Sequence, residues 1–171
     1  MTTESHQKAH VLVVDDDDGY RSMLERILIR AGYSVATACD GREGLEAVNG
    51  EQLDLVLVDV NLPGINGIEL VRQIKEIDPS LPCIVITGQG STEYSLEALK
   101  AGAHWYLDKH FDSGNPDPIR RLVEQAVEHK RLKVENRLLQ TQLRSQYGFG
   151  NIVGNSPVLQ EALDIVRKVA D

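Results

Sequence analysis

Acidic, hydroxyl and ammonium side chains follow four of the short apolar runs in this sequence. Asp15 and Asp16 come directly after the run HVLVV, and Asp59 comes directly after LDLVLV. Thr87 ends the run PCIVIT, and Lys109 lies just beyond a fourth run, HWYL. If these runs are parallel strands, their carboxyl ends lie at one edge of a sheet, and the five side chains converge there.

Such a group of side chains suits phosphoryl transfer onto a carboxylate. Clustered carboxylates repel one another, and a hard divalent cation with oxygen ligands, such as Mg²⁺, removes that cost. Asp59 would attack phosphorus, as aspartyl nucleophiles do when they form aspartyl phosphates. The cation and Lys109 would neutralise the charge that develops on the phosphoryl oxygens, and the hydroxyl of Thr87 would lie nearby.

The spacing of apolar residues predicts an alternation of strands and helices that would position this group. Strands are predicted at 10–14, 34–38, 53–58, 82–87 and 104–107, with helices at 20–31, 42–48, 65–77 and 92–101. This alternation is typical of parallel βαβ units. We therefore predict an α/β fold with a doubly wound, five-stranded parallel sheet (flavodoxin-like, order 2-1-3-4-5), in which strands 1 and 3 flank the ligand-binding switch point.

The C-terminal part of the chain has a different character. Residues 111–118 are turn-rich, and from about 119 to 146 there is neither Pro nor Gly, which predicts one long helix. A heptad register in this helix places two sets of residues at the seam: Leu122, His129, Asn136 and Leu143 at a, and Gln125, Leu132, Leu139 and Gln146 at d. Because an Asn at position a can set a two-stranded register, we favour a homodimer through the 119–146 helix. Residues 147–150 would break this helix, and a short amphipathic helix is predicted at 157–169.

Composition excludes several classes of protein. The chain has 171 residues, a formal net charge of −8 and no visible basic face, so this chain alone is not expected to bind nucleic acid. It contains no apolar run long enough for a membrane helix and no secretory signal, so we expect a cytoplasmic protein without membrane contact. Cys39 and Cys83 lack metal or redox spacing, and both are predicted to be buried thiols.

The order and spacing of these motifs resemble the response-regulator receiver family of bacterial two-component systems. The resemblance covers about residues 9–130. It rests on the acidic pair after strand 1, on DVNLPGING beginning at Asp59, on Thr87-Gly88, and on YLDK ending at Lys109. Four motifs at four successive strand ends are far more specific than any one of them alone.

This resemblance implies a role for each matching residue. A sensor histidine kinase would phosphorylate Asp59, while Thr87 and Lys109 would bind the phosphoryl group. Thr87 and Tyr106 would form the switch that responds to it. The Mg²⁺ ligands would be four residues, the last through its backbone carbonyl: Asp15 (assisting through water), Asp16, Asp59 and Asn61.

The C-terminal segments LKVENRL at 132–138, YGF at 147–149 and IVGNSP at 152–157 resemble the junction in nitrogen-regulation-type (NtrC-like) activators. There a helical linker joins a receiver to an AAA+ ATPase that works with sigma-54 RNA polymerase. The resemblance implies a truncated chain with a disordered tail (1–8), a receiver (9–130), a helical, coiled-coil linker (131–150) and the start of the AAA+ domain (151–171). The chain itself would be a regulatory domain and not an enzyme, and only the full-length protein would bind sigma-54 RNA polymerase and DNA.

The chain departs from the receiver pattern at His110, where the family has a proline, usually after a cis peptide bond. A cis bond before a residue other than proline costs about 2.5–4 kcal/mol, so we predict a trans Lys109–His110 bond. Asn61 and Gln89 lie two residues beyond Asp59 and Thr87. We hypothesise that Asn61 and Gln89 tune the lifetime of the acyl phosphate.

Two other functions are open from the sequence. His110 and the unusual loop after it are compatible with a degenerate receiver that takes no phosphate and acts as a dimerisation module, although the complete acidic, hydroxyl and ammonium set argues against this. A haloacid-dehalogenase-type phosphatase also uses an aspartyl nucleophile. Its D-x-D-x-T/V motif follows strand 1 directly, where this chain has DDDDG, and here Asp59 follows strand 3.

Overall fold

The computed structural model of the chain describes residues 9–88, 92–109 and 116–147, with side chains described from 94 in the second range and as far as 143 in the third. Five strands alternate with five helices in these ranges. The strands are β1 (His10–Val14), β2 (Ser34–Ala38), β3 (Leu55–Asp59), β4 (Cys83–Thr87) and β5 (Trp105–Asp108). The helices are α1 (Asp18–Arg30), α2 (Gly41–Gly50), α3 (Gly67–Ile77), α4 (Thr92–Lys100) and α5 (Asp117–Tyr147).

The strands form one parallel sheet in the order β2-β1-β3-β4-β5, which confirms the predicted fold class and topology. Strand β1 pairs with both β2 and β3, so the chain order reverses between β1 and β3. At the carboxyl ends of the strands, Asp59 lies opposite Ile86 and Thr87 lies opposite Asp108. The ends of β1, β3, β4 and β5 therefore meet at one edge of the sheet.

Both faces of the sheet are buried, as the continuous apolar runs of β1, β3 and β4 require. Leu12, Val14, Val56 and Val58 face one core cluster, together with buried residues of α2, α3 and α4. Their neighbours Val11, Val13, Leu55 and Leu57 face a second cluster with α1 and α5. Full burial of one such side chain contributes about 1.5–3 kcal/mol, so the two clusters hold the strand ends in fixed positions.

Four element ends differ from the prediction in an informative way. Helix α1 begins at Asp18, earlier than predicted, because the Asp17 carboxylate caps it by accepting bonds from the backbone amides of Gly19 and Tyr20. Strands β3 and β5 each extend to an acidic residue, Asp59 and Asp108, which an apolar pattern alone does not assign to a strand. Helix α5 also begins slightly earlier than predicted, at Asp117.

The first turns of α5 belong to the second core cluster. Ile119, Val123 and Ala126 are fully buried against the second cluster, and Leu122 packs partly against it. Leu122, which the predicted register places at an a position, is thus partly covered by its own domain, and the dimer through this helix stays a prediction. An amphipathic face that can dock on a sheet satisfies the same apolar spacing as a coiled-coil seam.

The surroundings of α5 change after Lys130. The Lys130 ammonium donates to the backbone carbonyl of Leu53 and lies 3.6 Å from the Asp54 carboxylate. From 131 to 143 every residue is exposed, including Leu132, Leu139 and Leu143. Contacts within the chain divide it into two units, 1–130 and 131–171.

The prediction for one cysteine is wrong. Cys83 lies buried in the interior strand β4, as expected, and burial raises the pKa of its thiol to about 12. Cys39 is exposed, because it follows the edge strand β2 in the loop before α2, where its backbone amide donates to the Glu43 carboxylate. An apolar run next to a cysteine does not reveal that the strand lies at the edge of the sheet.

Some predicted features lie outside the described residues: the tail at 1–8, Gln89, the Lys109–His110 bond, the loop at 111–115, the break after Tyr147 and the helix at 157–169. Within the ranges that the structure describes, no helix is long and apolar enough to cross a membrane.

Candidate functional site

The carboxyl edge of the sheet brings the predicted site residues together. Asp15 follows β1, Asp59 ends β3 and Thr87 ends β4, and all three are buried, with exposed fractions of 1%, 3% and 0%. Asp16 follows Asp15 and is exposed. Lys109 follows β5, and 19% of its side chain is accessible to solvent.

Three carboxylates at this edge form a compact group. One oxygen from each of Asp15, Asp16 and Asp59 lies within 4.8 Å of the others. The Oδ1 atom of Asp59 is buried and has no hydrogen-bond partner among the described residues. A buried acceptor without a protein partner is suited to bind a water or an ion, and an all-oxygen donor set suits a hard cation such as Mg²⁺. The residues therefore fit the predicted metal.

The Lys109 ammonium bridges the two buried carboxylates. Its Nζ atom lies 2.8 Å from Oδ2 of Asp15 and 3.2 Å from Oδ2 of Asp59. Burial alone lowers the pKa of Lys109, but the hydrogen bond to Asp15 and the negative charge of Asp59 outweigh it, so that the pKa lies above its ordinary value. The lysine thus stays charged and partly neutralises the acidic group.

Burial and the neighbouring charges act in opposite directions on the ionisation of Asp59. Burial raises its pKa from the ordinary 3.8 to about 6, with a smaller increase from the charge of Asp15, while the Lys109 ammonium acts in the opposite direction. At neutral pH the carboxylate is therefore mostly ionised, although ionisation is costly in the folded protein. The anionic form of the Asp59 side chain is therefore the main form at neutral pH.

This cost leads to a stability prediction for the metal-free protein. Because the pKa of Asp59 is raised on folding, its ionisation disfavours the folded state above about pH 6, and this effect disappears as the pH falls towards the unfolded value of 3.8. Asp59→Asn should therefore raise the free energy of unfolding by about 1–3 kcal/mol near pH 7, and by much less near pH 4. Urea denaturation in EDTA checks this, with the exposed Asp18→Asn as a control. A destabilised Asp59→Asn protein near pH 7 would contradict it.

The first turn of α1 adds contacts that the sequence analysis did not identify. The guanidinium of Arg21 donates to the backbone carbonyl of Asp15, at 2.6 Å. The ring of Tyr20 lies over Lys109, with 4.6 Å between Nζ and the ring centroid. The sequence contained a signal for these contacts. The acidic run DDDD includes a helix cap at Asp17, so the first turn of α1, with Tyr20 and Arg21, must lie beside the crevice.

A glycine permits the close approach of α3 to Asp59. A Cβ atom at Gly67 would lie 1.9 Å from the carbonyl oxygen of Asp59, which is a severe steric clash. The amide of Gly67 donates to the carbonyl of Val60 at 2.9 Å, and Asn66 caps α3. Gly67 therefore has a specific steric role next to Asp59, where only a residue without a side chain fits.

Asn61 and Tyr106 occupy the positions expected from their place in the chain. Asn61 is exposed in the loop that follows β3. Tyr106 lies in β5 opposite Val85 and packs partly against the first core cluster. The metal role of Asn61 and the switch role of Tyr106 stay predictions.

Comparisons with known proteins agree with this geometry. The family model for the response regulator receiver domain matches residues 11–116. The chain is 36% identical over 167 residues to the transcriptional regulatory protein ZraR of Escherichia coli (strain K12), covering 97% of this chain and 36% of ZraR. It is 34% identical over 164 residues to the DNA-binding transcriptional regulator NtrC of the same strain, covering 96% of this chain and 34% of NtrC.

A solved structure extends the similarity over most of the chain. A crystal structure of NtrX from Brucella abortus in complex with ADP matches with a TM-score of 0.71 and 30% identity, covering 95% of this chain and 34% of NtrX. The chain thus spans about a third of the length of the curated relatives it matches.

Proposed function

The chain belongs to the response regulator receiver domain family, and on that premise we propose that Asp59 accepts a phosphoryl group from a sensor histidine kinase. The observation that carries the proposal is the buried Asp59 carboxylate, which shares one crevice with Asp15, Asp16 and the Lys109 ammonium. The domain would act as a regulatory phosphoryl acceptor, and not as an enzyme in its own right.

In the proposed reaction, an ionised oxygen of Asp59 attacks the phosphorus of a phosphohistidine. A P–O bond to Asp59 forms and the P–N bond to the imidazole breaks, so that the electron pair of that bond stays on the imidazole nitrogen. The raised pKa of Asp59, about 6, leaves the carboxylate mostly ionised at neutral pH.

The other residues of the crevice would hold the transferred group. The Lys109 ammonium would pair with a phosphoryl oxygen in place of a carboxylate, and the hydroxyl of Thr87 would donate a hydrogen bond to another oxygen. Asp15, Asp16, Asp59 and the backbone carbonyl of Asn61 would hold Mg²⁺. When bound, Mg²⁺ supplies positive charge that offsets the negative charge of the carboxylates and the phosphoryl oxygens.

Phosphorylation would then act on the β4–β5 edge of the domain. A phosphoryl group adds about −1.5 to −2 charges and three strong acceptor oxygens. Movement of Thr87 and Lys109 towards these oxygens would shift the population of a two-state surface that includes Tyr106.

For the whole protein we propose a role in transcription. The resemblance at 132–157 favours a receiver that controls an attached sigma-54-dependent ATPase, which would bind sigma-54 RNA polymerase and DNA. Residues 131–150 would form the linker, and residues 151–171 would form the start of the ATPase domain. The protein would act in the cytoplasm. A homodimer would form through the exposed part of α5, where Leu132, Leu139 and Leu143 offer an apolar surface.

Labelling by acetyl phosphate tests the proposed acceptor without a kinase. Wild-type protein incubated with acetyl phosphate and Mg²⁺ should gain the mass of one phosphoryl group, measured by intact mass spectrometry. The gain should disappear with EDTA and in Asp59→Asn, since the amide is not a nucleophile for phosphorus. Asp18→Asn should be labelled as the wild type is. An undiminished gain in Asp59→Asn, or no gain in the wild type, would contradict the proposal.

A further inference from the structure

We propose that Tyr20 is a positioning residue for Lys109, and that its ring sets the rate at which Asp59 is phosphorylated. The inference rests on the proposed function and concerns a residue outside the acidic, hydroxyl and ammonium set. The Tyr20 ring lies 4.6 Å from Nζ of Lys109, on the same ammonium that contacts Asp15 and Asp59.

The ring is held in place from two sides. The backbone amide of Tyr20 donates to the Asp17 carboxylate at 3.0 Å, within the cap that begins α1. Its side chain packs against the second core cluster, which includes Leu24 and Leu28 of the same helix. Arg21 ties the same turn to the carbonyl of Asp15. The ring therefore has a defined position relative to the crevice.

An aromatic face at this distance attracts an ammonium group. Lys109 carries a long, flexible side chain, and the carboxylates of Asp15 and Asp59 contact its ammonium group. The ring restrains the ammonium from a third direction and excludes water from it, which strengthens the interaction of its charge with neighbouring oxygens. During phosphoryl transfer Lys109 would need to move only a short way, from carboxylate to phosphoryl oxygens, and the ring would keep it in the crevice.

Loss of the Tyr20 ring should lower the phosphorylation rate without lowering the affinity for Mg²⁺. Tyr20→Leu should slow phosphorylation by acetyl phosphate about tenfold at saturating Mg²⁺, the size expected for the loss of one partly buried cation–π contact. The same variant should bind Mg²⁺ as tightly as the wild type or more tightly, because a less restrained Lys109 competes less well for the carboxylates. A general disruption of the crevice would weaken Mg²⁺ binding as well.

The experiment compares four proteins: the wild type, Tyr20→Leu, Tyr20→Phe and Tyr33→Leu. Labelling is followed by intact mass over time, and Mg²⁺ affinity by calorimetric titration. Tyr20→Phe keeps the aromatic face and should restore a rate within about twofold of the wild type. Tyr33 packs against the same core cluster beyond the end of α1, so Tyr33→Leu removes a ring from that core without touching Lys109.

A slow Tyr20→Leu, with a restored Tyr20→Phe and retained Mg²⁺ affinity, supports the inference. It is overturned if Tyr20→Leu reacts at the wild-type rate, if Tyr20→Phe or Tyr33→Leu is equally slow, or if Mg²⁺ affinity falls in parallel. Failure of the wild type itself to label would instead contradict the function proposed for Asp59.

Discussion

Metal-free Lys109→Met protein is expected to be less stable than the wild type by about 3 kcal/mol near pH 7, the usual cost of removing one partner from a buried charge pair. In the wild type the Lys109 ammonium lies 2.8 Å from Asp15 and 3.2 Å from Asp59. Without it, two buried carboxylates would face each other with no neutralising charge. Methionine keeps most of the volume of the lysine stem, so the change is mainly electrostatic.

The pH dependence of this loss identifies its origin. Removal of the lysine raises the pKa of Asp59 beyond its wild-type value of about 6, so the penalty is present at neutral pH and shrinks as the pH falls towards 3.8. Saturating Mg²⁺ should stabilise Lys109→Met more than it stabilises the wild type, since the cation replaces the missing positive charge. Urea denaturation in EDTA and in Mg²⁺ measures both effects, with the exposed Lys100→Met as the control. A pH-independent loss would show that packing, and not charge, is responsible.

Gly67→Ala should destabilise the protein by at least about 4 kcal/mol, in the range reserved for severe steric or packing defects. The new Cβ would lie 1.9 Å from the carbonyl oxygen of Asp59, and neither backbone can easily move. Asp59 pairs in the sheet opposite Ile86, and the amide of Gly67 is bonded to Val60. Denaturation measures the stability, and labelling of any folded fraction shows whether the acceptor is displaced.

Gly50→Ala provides the matched control for this prediction. Gly50 is the last residue of α2, and a Cβ there would have no atom within 4 Å. Alanine should leave the stability unchanged or raise it by up to about 1 kcal/mol, because it reduces the freedom of the unfolded chain. Equal losses in the two variants would contradict the specific role of Gly67 beside Asp59.

The sequence was sufficient to predict the sheet and the residues at its carboxyl edge. Strands β1 and β2 have the predicted bounds, because each is an apolar or β-branched run between clear turn signals. The convergence of Asp15, Asp59, Thr87 and Lys109 followed from the switch-point rule for parallel sheets, and not from any contact between neighbours in the sequence.

Other features depend on tertiary contacts that a pattern of apolar residues does not encode. Leu122 fits a heptad, but the same spacing fits a helix that docks on a sheet, and its side chain packs, partly buried, against the second core cluster. Cys39 was predicted buried because the edge position of β2 was not used. Tyr20 was missed because its role depends on Lys109, which lies far along the chain. The bridging of two carboxylates by Lys109 was missed because the phosphoryl group was considered as its only partner.

The most direct test of the central claim is to locate the phosphoryl group on the chain. Wild-type protein would be labelled with acetyl phosphate and Mg²⁺ and treated with borohydride, which reduces an aspartyl phosphate to homoserine. The protein would then be digested and mapped by mass spectrometry. Homoserine is expected at position 59, and none is expected when acetyl phosphate is omitted. Homoserine at another aspartate, or labelled protein with position 59 still aspartate, would contradict it.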